Sequence, residues 1–201
     1  MPDYFPAFLD LRGRRCLVVG GGLIGERKTR DLFACSANVV VVSPALSMGL
    51  TELVERGHVV HRARSFRGAD VRGCAVVVAA TGVSAVDSAV AAAARRHRVL
   101  VNVVDRPALC DFIVPSVLRR GELQIAVSTG GRSPALAREI RRELEEIFGS
   151  EYADLVDHVG AARSRARARV STLRDRMAAG ERVVALALSR IRHSRALQKA
   201  R

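Results

Sequence analysis

The sequence predicts a doubly wound parallel α/β domain of Rossmann type, followed by a small hairpin region and a helical C-terminal region. Three observations predict it. Valine-rich runs recur with room for a helix between them, a glycine-rich turn follows the first run, and this rhythm ends near residue 113. A continuous apolar run, unlike an alternating one, suits a strand covered on both faces, as strands of a parallel sheet are.

Strands are expected at RCLVV (15–19), NVVVV (38–42), HVVHR (58–62), CAVVVAA (74–80) and RVLVNVV (98–104). Between them, ERKTRDLFACSA and SAVDSAVAAAARRH carry alanine, leucine and charge at helical spacing, so strand and helix alternate. FIVPSVLRRGELQIAVSTGG then reads as two strands joined by a tight turn at Arg120-Gly121. Ser133 and Pro134 supply an N-cap and a first-turn proline for the helix ALAREIRRELEEIF, which Gly149 can end. From Ser150 onward the pattern is helical, with breaks expected at Gly160 and Gly180. The chain therefore divides into 1–113, 114–149 and 150–201.

A chain of 201 residues that is 49% apolar can bury a substantial core. No run approaches the roughly 18 apolar residues of a membrane span, and the N-terminus lacks the basic-then-apolar order of a signal peptide, so a cytoplasmic protein without a membrane association is expected. Cys16, Cys35, Cys74 and Cys110 are far apart, without C-x-x-C spacing, and read as reduced core residues instead of metal ligands. His58, His61, His97, His158 and His193 likewise form no metal-ligand pattern, and no metal site is expected.

The net charge of +13 suits nucleic acid, anionic lipid or a polyanionic small molecule. Arginines crowd RSRARARVSTLRDR and SRIRHSRALQKAR, but the chain has two tyrosines and no tryptophan, so the aromatic platforms that stack single-stranded bases are largely missing. The basic C-terminal stretch reads as a solvated helical face, without a nucleic-acid partner.

The stretch VGGGLIGERK (19–28) places Gly20, Gly22 and Gly25 at G-x-G-x-x-G spacing between a strand and a helix. In a dinucleotide site these glycines make the tight turn, admit the pyrophosphate and let the helix pack closely on the sheet, with Leu23 and Ile24 at the helix start. The acid that usually holds the ribose, roughly 20 residues onward, is absent: Ser43 stands there, followed by Pro44 and Ala45. A serine can bond a ribose hydroxyl without repelling a 2′-phosphate, but no arginine follows to welcome one, which favours NAD over NADP. Thr81, Gly82 and Asn102 lie at later strand ends and are expected to line the cofactor cleft.

Asp105 follows an apolar strand and precedes Arg106-Pro107. It is either a proton-handling group at the cleft or a cap for the turn before the proline.

Several stretches together resemble the siroheme synthase N-terminal domain family, the precorrin-2 dehydrogenases and related sirohydrochlorin ferrochelatases. They are YFPAFLDLRGRRCLVVGGGLIGERK, AAT at 79–81, NVVDRP at 102–107, FIVPS at 112–116 and AVSTGGRSPALAREIR at 126–141, in the family's order. The resemblance implies NAD-dependent oxidation of precorrin-2 to sirohydrochlorin, with ferrous iron insertion as a second activity in some members. It further implies an NAD-binding domain over 1–113, a dimerisation region over 114–149 that exchanges strands in a homodimer, and a helical region over 150–201. Asp105 matches the family's important aspartate, and Ser128, Thr129, Gly130 and Gly131 offer small side chains and open N–H groups for the carboxylates of the tetrapyrrole. Some larger members carry serine where Thr129 stands, and those members append a methyltransferase domain for which 201 residues leave no room. The alternative reading is a nucleotide-sensing Rossmann regulatory module, for which the glycine turn suffices and Asp105 is not needed.

Overall fold

The computed structural model describes residues 4–169 and 172–199. The chain falls into two compact units, Met1–Val114 and Pro115–Arg201.

The first unit runs β1 (Arg15–Val19), α1 (Leu23–Phe33), β2 (Asn38–Val42), α2 (Met48–Glu55), β3 (Val60–Arg62), β4 (Val76–Ala79), α3 (Ser84–Arg96) and β5 (Leu100–Val103). Short 3-10 turns span Gly68–Val71 and Pro107–Leu109. All five strands are parallel, in the order β3-β2-β1-β4-β5. The order reverses between β1 and β4, the switch point where ligands of such sheets bind. Val19 pairs with both Val42 and Ala79, and Ala79 pairs with Val103. Four strands thus end level, and Gly20, Ser43, Ala80 and Val104 leave the sheet along one edge.

Both faces are covered, which is why the strand sequences are apolar without alternation. Leu17, Val19, Val40, Val77, Val101 and Val103 pack with Val90, Ala91 and Ala94 of α3. Cys16, Val18, Val39, Val41, Val76 and Val78 face the other way, against Leu50 and Leu53 of α2. Burial pushes the Cys16 thiol up to about 11, so it stays protonated and packs as an apolar group.

Several strands are shorter than their apolar runs. Cys74 is drawn into a turn by its N–H bond to the Val71 carbonyl, so β4 starts later than the run. Arg98 sits at φ +55, a left-handed conformation that no strand accommodates, so β5 begins beyond it.

In the second unit, β6 (Ser116–Arg120) and β7 (Leu123–Val127) form an antiparallel hairpin, followed by α4 (Pro134–Ile147), α5 (Glu151–Arg169) and α6 (Leu173–Lys199). The ladder starts after Pro115, which has no N–H to contribute. The turn lies at Gly121-Glu122, with Gly121 at φ +55. Ser133 caps α4 as expected, its hydroxyl accepting from the Leu136 N–H at 3.2 Å. The breaks expected at Gly160 and Gly180 do not occur. Helices α5 and α6 run through them, because an interior glycine costs only about 1 kcal/mol and the surrounding alanine, leucine and arginine are good helix formers.

One buried ionic cluster supports the first unit beside β3. The Asp70 carboxylate, 2% exposed, accepts from Arg62 at 2.7 Å, from Arg64 at 2.6 and 2.8 Å, and from the Arg67 N–H at 2.9 Å. Arg64 chiefly, then the Arg67 N–H and Arg62, hold the Asp70 carboxyl down at about 2 against the cost of burial. A carboxylate with a depressed folded-state pKa stabilises above its unfolded value and loses that contribution as pH falls from there toward 2. Asp70→Asn is therefore expected to lower stability at neutral pH by about 2 kcal/mol. Urea unfolding at a series of pH values should find the difference from the wild type shrinking below about pH 4.

Candidate functional site

The site is built where β1 passes into α1. Gly20 has φ +118, and a Cβ there would collide with the Ala80 carbonyl across the switch point. A Cβ on Gly25 would strike the Gly20 carbonyl, so this glycine lets helix and turn meet. Gly22 differs: it is exposed, its φ of −81 suits any residue, and nothing lies within 4 Å of an added Cβ. No neighbour in the protein demands a glycine at this position, and the space it leaves is a cradle for a ligand.

The helix end is prepared in the same way. Gly22 is the N-cap of α1 and offers no side-chain acceptor, so the first N–H groups of the helix stay unsatisfied. Open donors at the positive end of a helix suit a pyrophosphate. Leu23 and Ile24 flank this end with 80% and 43% of their surface exposed, as apolar walls. The residues present therefore fit a dinucleotide.

Ser43 leaves β2 beside this turn, its hydroxyl 2.8 Å from where a Gly21 Cβ would sit. The same Cβ would collide with the Ala45 carbonyl, and Ser47 N–H donates to the Gly21 carbonyl at 2.7 Å, so the 43–47 loop closes on the glycines. Ser47 Oγ donates to Glu26 at 2.7 Å. That bond, and then Arg30, hold the Glu26 carboxyl below its usual range and fix α1 against α2. Pro44 and Ala45 are exposed at the rim.

At the end of β4 the Thr81 hydroxyl donates to Asp87 at 2.7 Å and accepts from the Val83 N–H at 3.0 Å. Its hydrogen-bonding capacity goes into building the turn. The open face there is offered by Gly82, exposed at φ +70 with nothing within 4 Å of an added Cβ. Asn102 does not present its amide to a cleft: Nδ2 donates to the Phe112 carbonyl at 2.9 Å, and the residue is 8% exposed.

Asp105 stands exposed beyond β5 in a left-handed conformation, φ +58. Among the described residues its carboxylate accepts no hydrogen bond, so it does not cap the turn that precedes Pro107. That turn is closed instead by Arg106 N–H on the Val103 carbonyl at 3.2 Å and by Cys110, whose sulfur accepts from Val103 N–H at 3.1 Å. Lys28 of α1 is half-buried, and this burial lowers its pKa, while Asp31 and Asp105 act to raise it.

The structure thus brings Gly20, Gly22, Gly25, Ser43, Gly82 and Asp105 to one edge of one sheet. Ser128 to Gly131 lie in the second unit, in the loop between β7 and α4. There Ser128 Oγ accepts from Gly130 N–H at 3.1 Å, and Thr129 Oγ1 both accepts from Ser133 N–H and donates to its carbonyl, each at 3.0 Å. Gly130 and Gly131 have φ +63 and +84. The two hydroxyls hold the loop in shape.

Sequence reasoning missed Gly21, Asp87, Arg106 and Cys110. The run of three glycines signalled the first, since G-x-G-x-x-G explains only two of them. The other three act through bonds made after the strands are assembled, which periodicity does not reveal. Among the described residues no group of three or more histidine, cysteine, aspartate or glutamate side chains is gathered to hold a metal, and no helix is long and apolar enough to cross a membrane.

Comparison with known proteins agrees with this geometry. The model of a family described as putative NAD(P)-binding matches residues 7–116, and that of the sirohaem biosynthesis protein central region matches residues 120–147. The chain belongs to the siroheme synthase N-terminal domain family. Residues 7–116 accordingly form an NAD(P)-binding domain. The siroheme synthase of Nitrosomonas europaea is 46% identical over 168 residues, covering 83% of this chain and 35% of that protein. That of Methylococcus capsulatus is 41% identical over 182 residues, covering 90% and 38%. The chain therefore spans little more than a third of the length of these curated relatives. The solved structure of SirC, precorrin-2 dehydrogenase, superposes with a TM-score of 0.78 at 24% identity over 98% of each chain and shares the fold.

Proposed function

We propose that this chain is a precorrin-2 dehydrogenase that uses NAD in the formation of sirohydrochlorin for siroheme. The single observation that carries the proposal is the meeting, on one sheet edge, of an uncapped glycine-cradled helix end and an aspartate without a hydrogen-bond partner. The relatives' names supply the substrate.

The oxidation removes a hydride and a proton from the macrocycle. The nicotinamide ring, when bound, supplies the hydride acceptor. Gly22 and the first N–H groups of α1 hold the pyrophosphate, Ser43 bonds a ribose hydroxyl, and Leu23 and Ile24 shield the dinucleotide from water. Asp105 Oδ takes the proton; its freedom from internal bonds leaves it available. Ser128 to Gly131, with their small side chains, bind substrate carboxylates, and the net charge of +13 draws in this polyanion.

NAD is favoured over NADP because Arg62 and Arg64, at the end of the neighbouring strand β3, are both engaged by Asp70 instead of standing free for a 2′-phosphate. The protein acts in the cytoplasm as a homodimer. A two-stranded sheet is marginal alone, and Leu136 and Ile147 of α4, each 53% exposed, leave apolar surface in the second unit for a partner copy.

The test is anaerobic conversion of precorrin-2 followed by absorbance. NAD should support formation of sirohydrochlorin and NADH with kcat/KM at least about tenfold above NADP. Folded protein that makes neither product overturns the reading. Ferrous iron added to sirohydrochlorin tests the second activity, insertion of this metal as a substrate: an accelerated rate assigns it, and the uncatalysed rate removes it.

A further inference from the structure

Asp105, whose carboxylate accepts no hydrogen bond among the described residues, is kept in place by the bonds around it. Since no side-chain bond orients Asp105, its carboxylate goes where the backbone sends it, and that backbone is left-handed. The preceding residue is fixed by Val104 N–H on the Ala79 carbonyl at 3.0 Å. On the following side the chain is tied by Arg106, whose Nη1 donates to the Ser84 carbonyl at 3.2 Å, to Ser84 Oγ at 2.8 Å and to Ser88 Oγ at 3.2 Å.

These acceptors stand one helical turn apart at the start of α3, a helix anchored in the core by Val90, Ala91 and Ala94. The same segment begins at the Thr81–Asp87 turn beside the cofactor wall. Arg106 therefore joins the proton acceptor to the element that borders the cofactor. Nη1 shares its two hydrogens among these three acceptors, which tethers the guanidinium to α3.

We propose that Arg106 is a positioning residue for Asp105, and that the Arg106–Ser84–Ser88 bonds set the carboxylate against the substrate. This rests on the dehydrogenase reading. A residue that acts in this way affects the chemical step and leaves binding alone. Arg106→Ala should lower kcat by about tenfold with KM for precorrin-2 and for NAD changed less than about twofold. Arg106→Lys, which can reach one serine, should recover most of the rate. Ser88→Ala should lower kcat by about two- to threefold.

A merely structural role is separated by a double-mutant cycle. In an Asp105→Asn background, Arg106→Ala should bring no further loss of kcat, because the group it positions is already disabled. Thermal melts accompany every variant. An unchanged kcat in folded Arg106→Ala, a rise of KM alone, or a full additional loss in the Asp105→Asn background overturns the proposal. If Arg106→Ala does not fold, unchanged kcat in both Arg106→Lys and Ser88→Ala overturns it. A wild type without dehydrogenase activity overturns the functional reading and this inference with it, whereas an active wild type with indifferent variants overturns this inference alone.

Discussion

Asp105→Asn is expected to lower kcat for precorrin-2 oxidation by about 10²- to 10⁴-fold, the range that a positioned proton acceptor contributes. Asparagine keeps the shape and tolerates the left-handed conformation of this position, so the fold should survive and the change isolates the proton-accepting oxygen. NAD affinity should stay within about twofold, because the cradle at Gly22 and the open N–H groups of α1 are untouched. Equilibrium binding of NAD beside single-turnover oxidation checks both halves. Unimpaired oxidation by the variant would remove Asp105 from the reaction.

Two glycine substitutions in the same turn should fail in opposite ways. Gly22→Ala adds a methyl where no protein atom lies within 4 Å, at an ordinary φ, so the melting temperature should move by no more than about 2 °C. The methyl occupies the space left for the pyrophosphate, and Kd for NAD should rise by at least about tenfold. Gly25→Ala drives its methyl into the Gly20 carbonyl and should destabilise the fold by about 2 kcal/mol or more before any question of binding arises. Calorimetry and NAD titration on the pair check this. A Gly22→Ala protein that binds NAD normally would place the cofactor elsewhere.

Much of the first unit was legible in the sequence because burial on both faces writes itself as unbroken valine runs. NVVVV coincides with β2, and RCLVV with β1. Ends were less legible. HVVHR shortened to Val60–Arg62 because an edge strand pairs on one side only, and FIVPS began its ladder late because of Pro115. Gly160 and Gly180 misled for a different reason: a glycine marks a turn only where the chain needs φ > 0 or a close approach, and at these two nothing lies nearby.

The position of Ser43 at the end of β2, and of Asp105 at the end of β5, followed from counting along strands that end level. The inward turn of Asn102 did not, since its partner Phe112 lies in a loop ten residues on. Likewise, Thr81 looked like a cleft hydroxyl until Asp87, a carboxylate buried at the start of α3, took its proton donor. Bonds across loops depend on assembled geometry, and residue spacing carries little information about them.

The left-handed backbone at Asp105 sets stability against activity at a single position. A side chain with a Cβ is uncomfortable at φ +58, whereas glycine adopts it freely. Asp105→Gly would relieve the backbone and abolish proton transfer together. At this residue a hardier variant of the protein, whether from directed evolution or from drift under relaxed selection, gains stability only by losing activity.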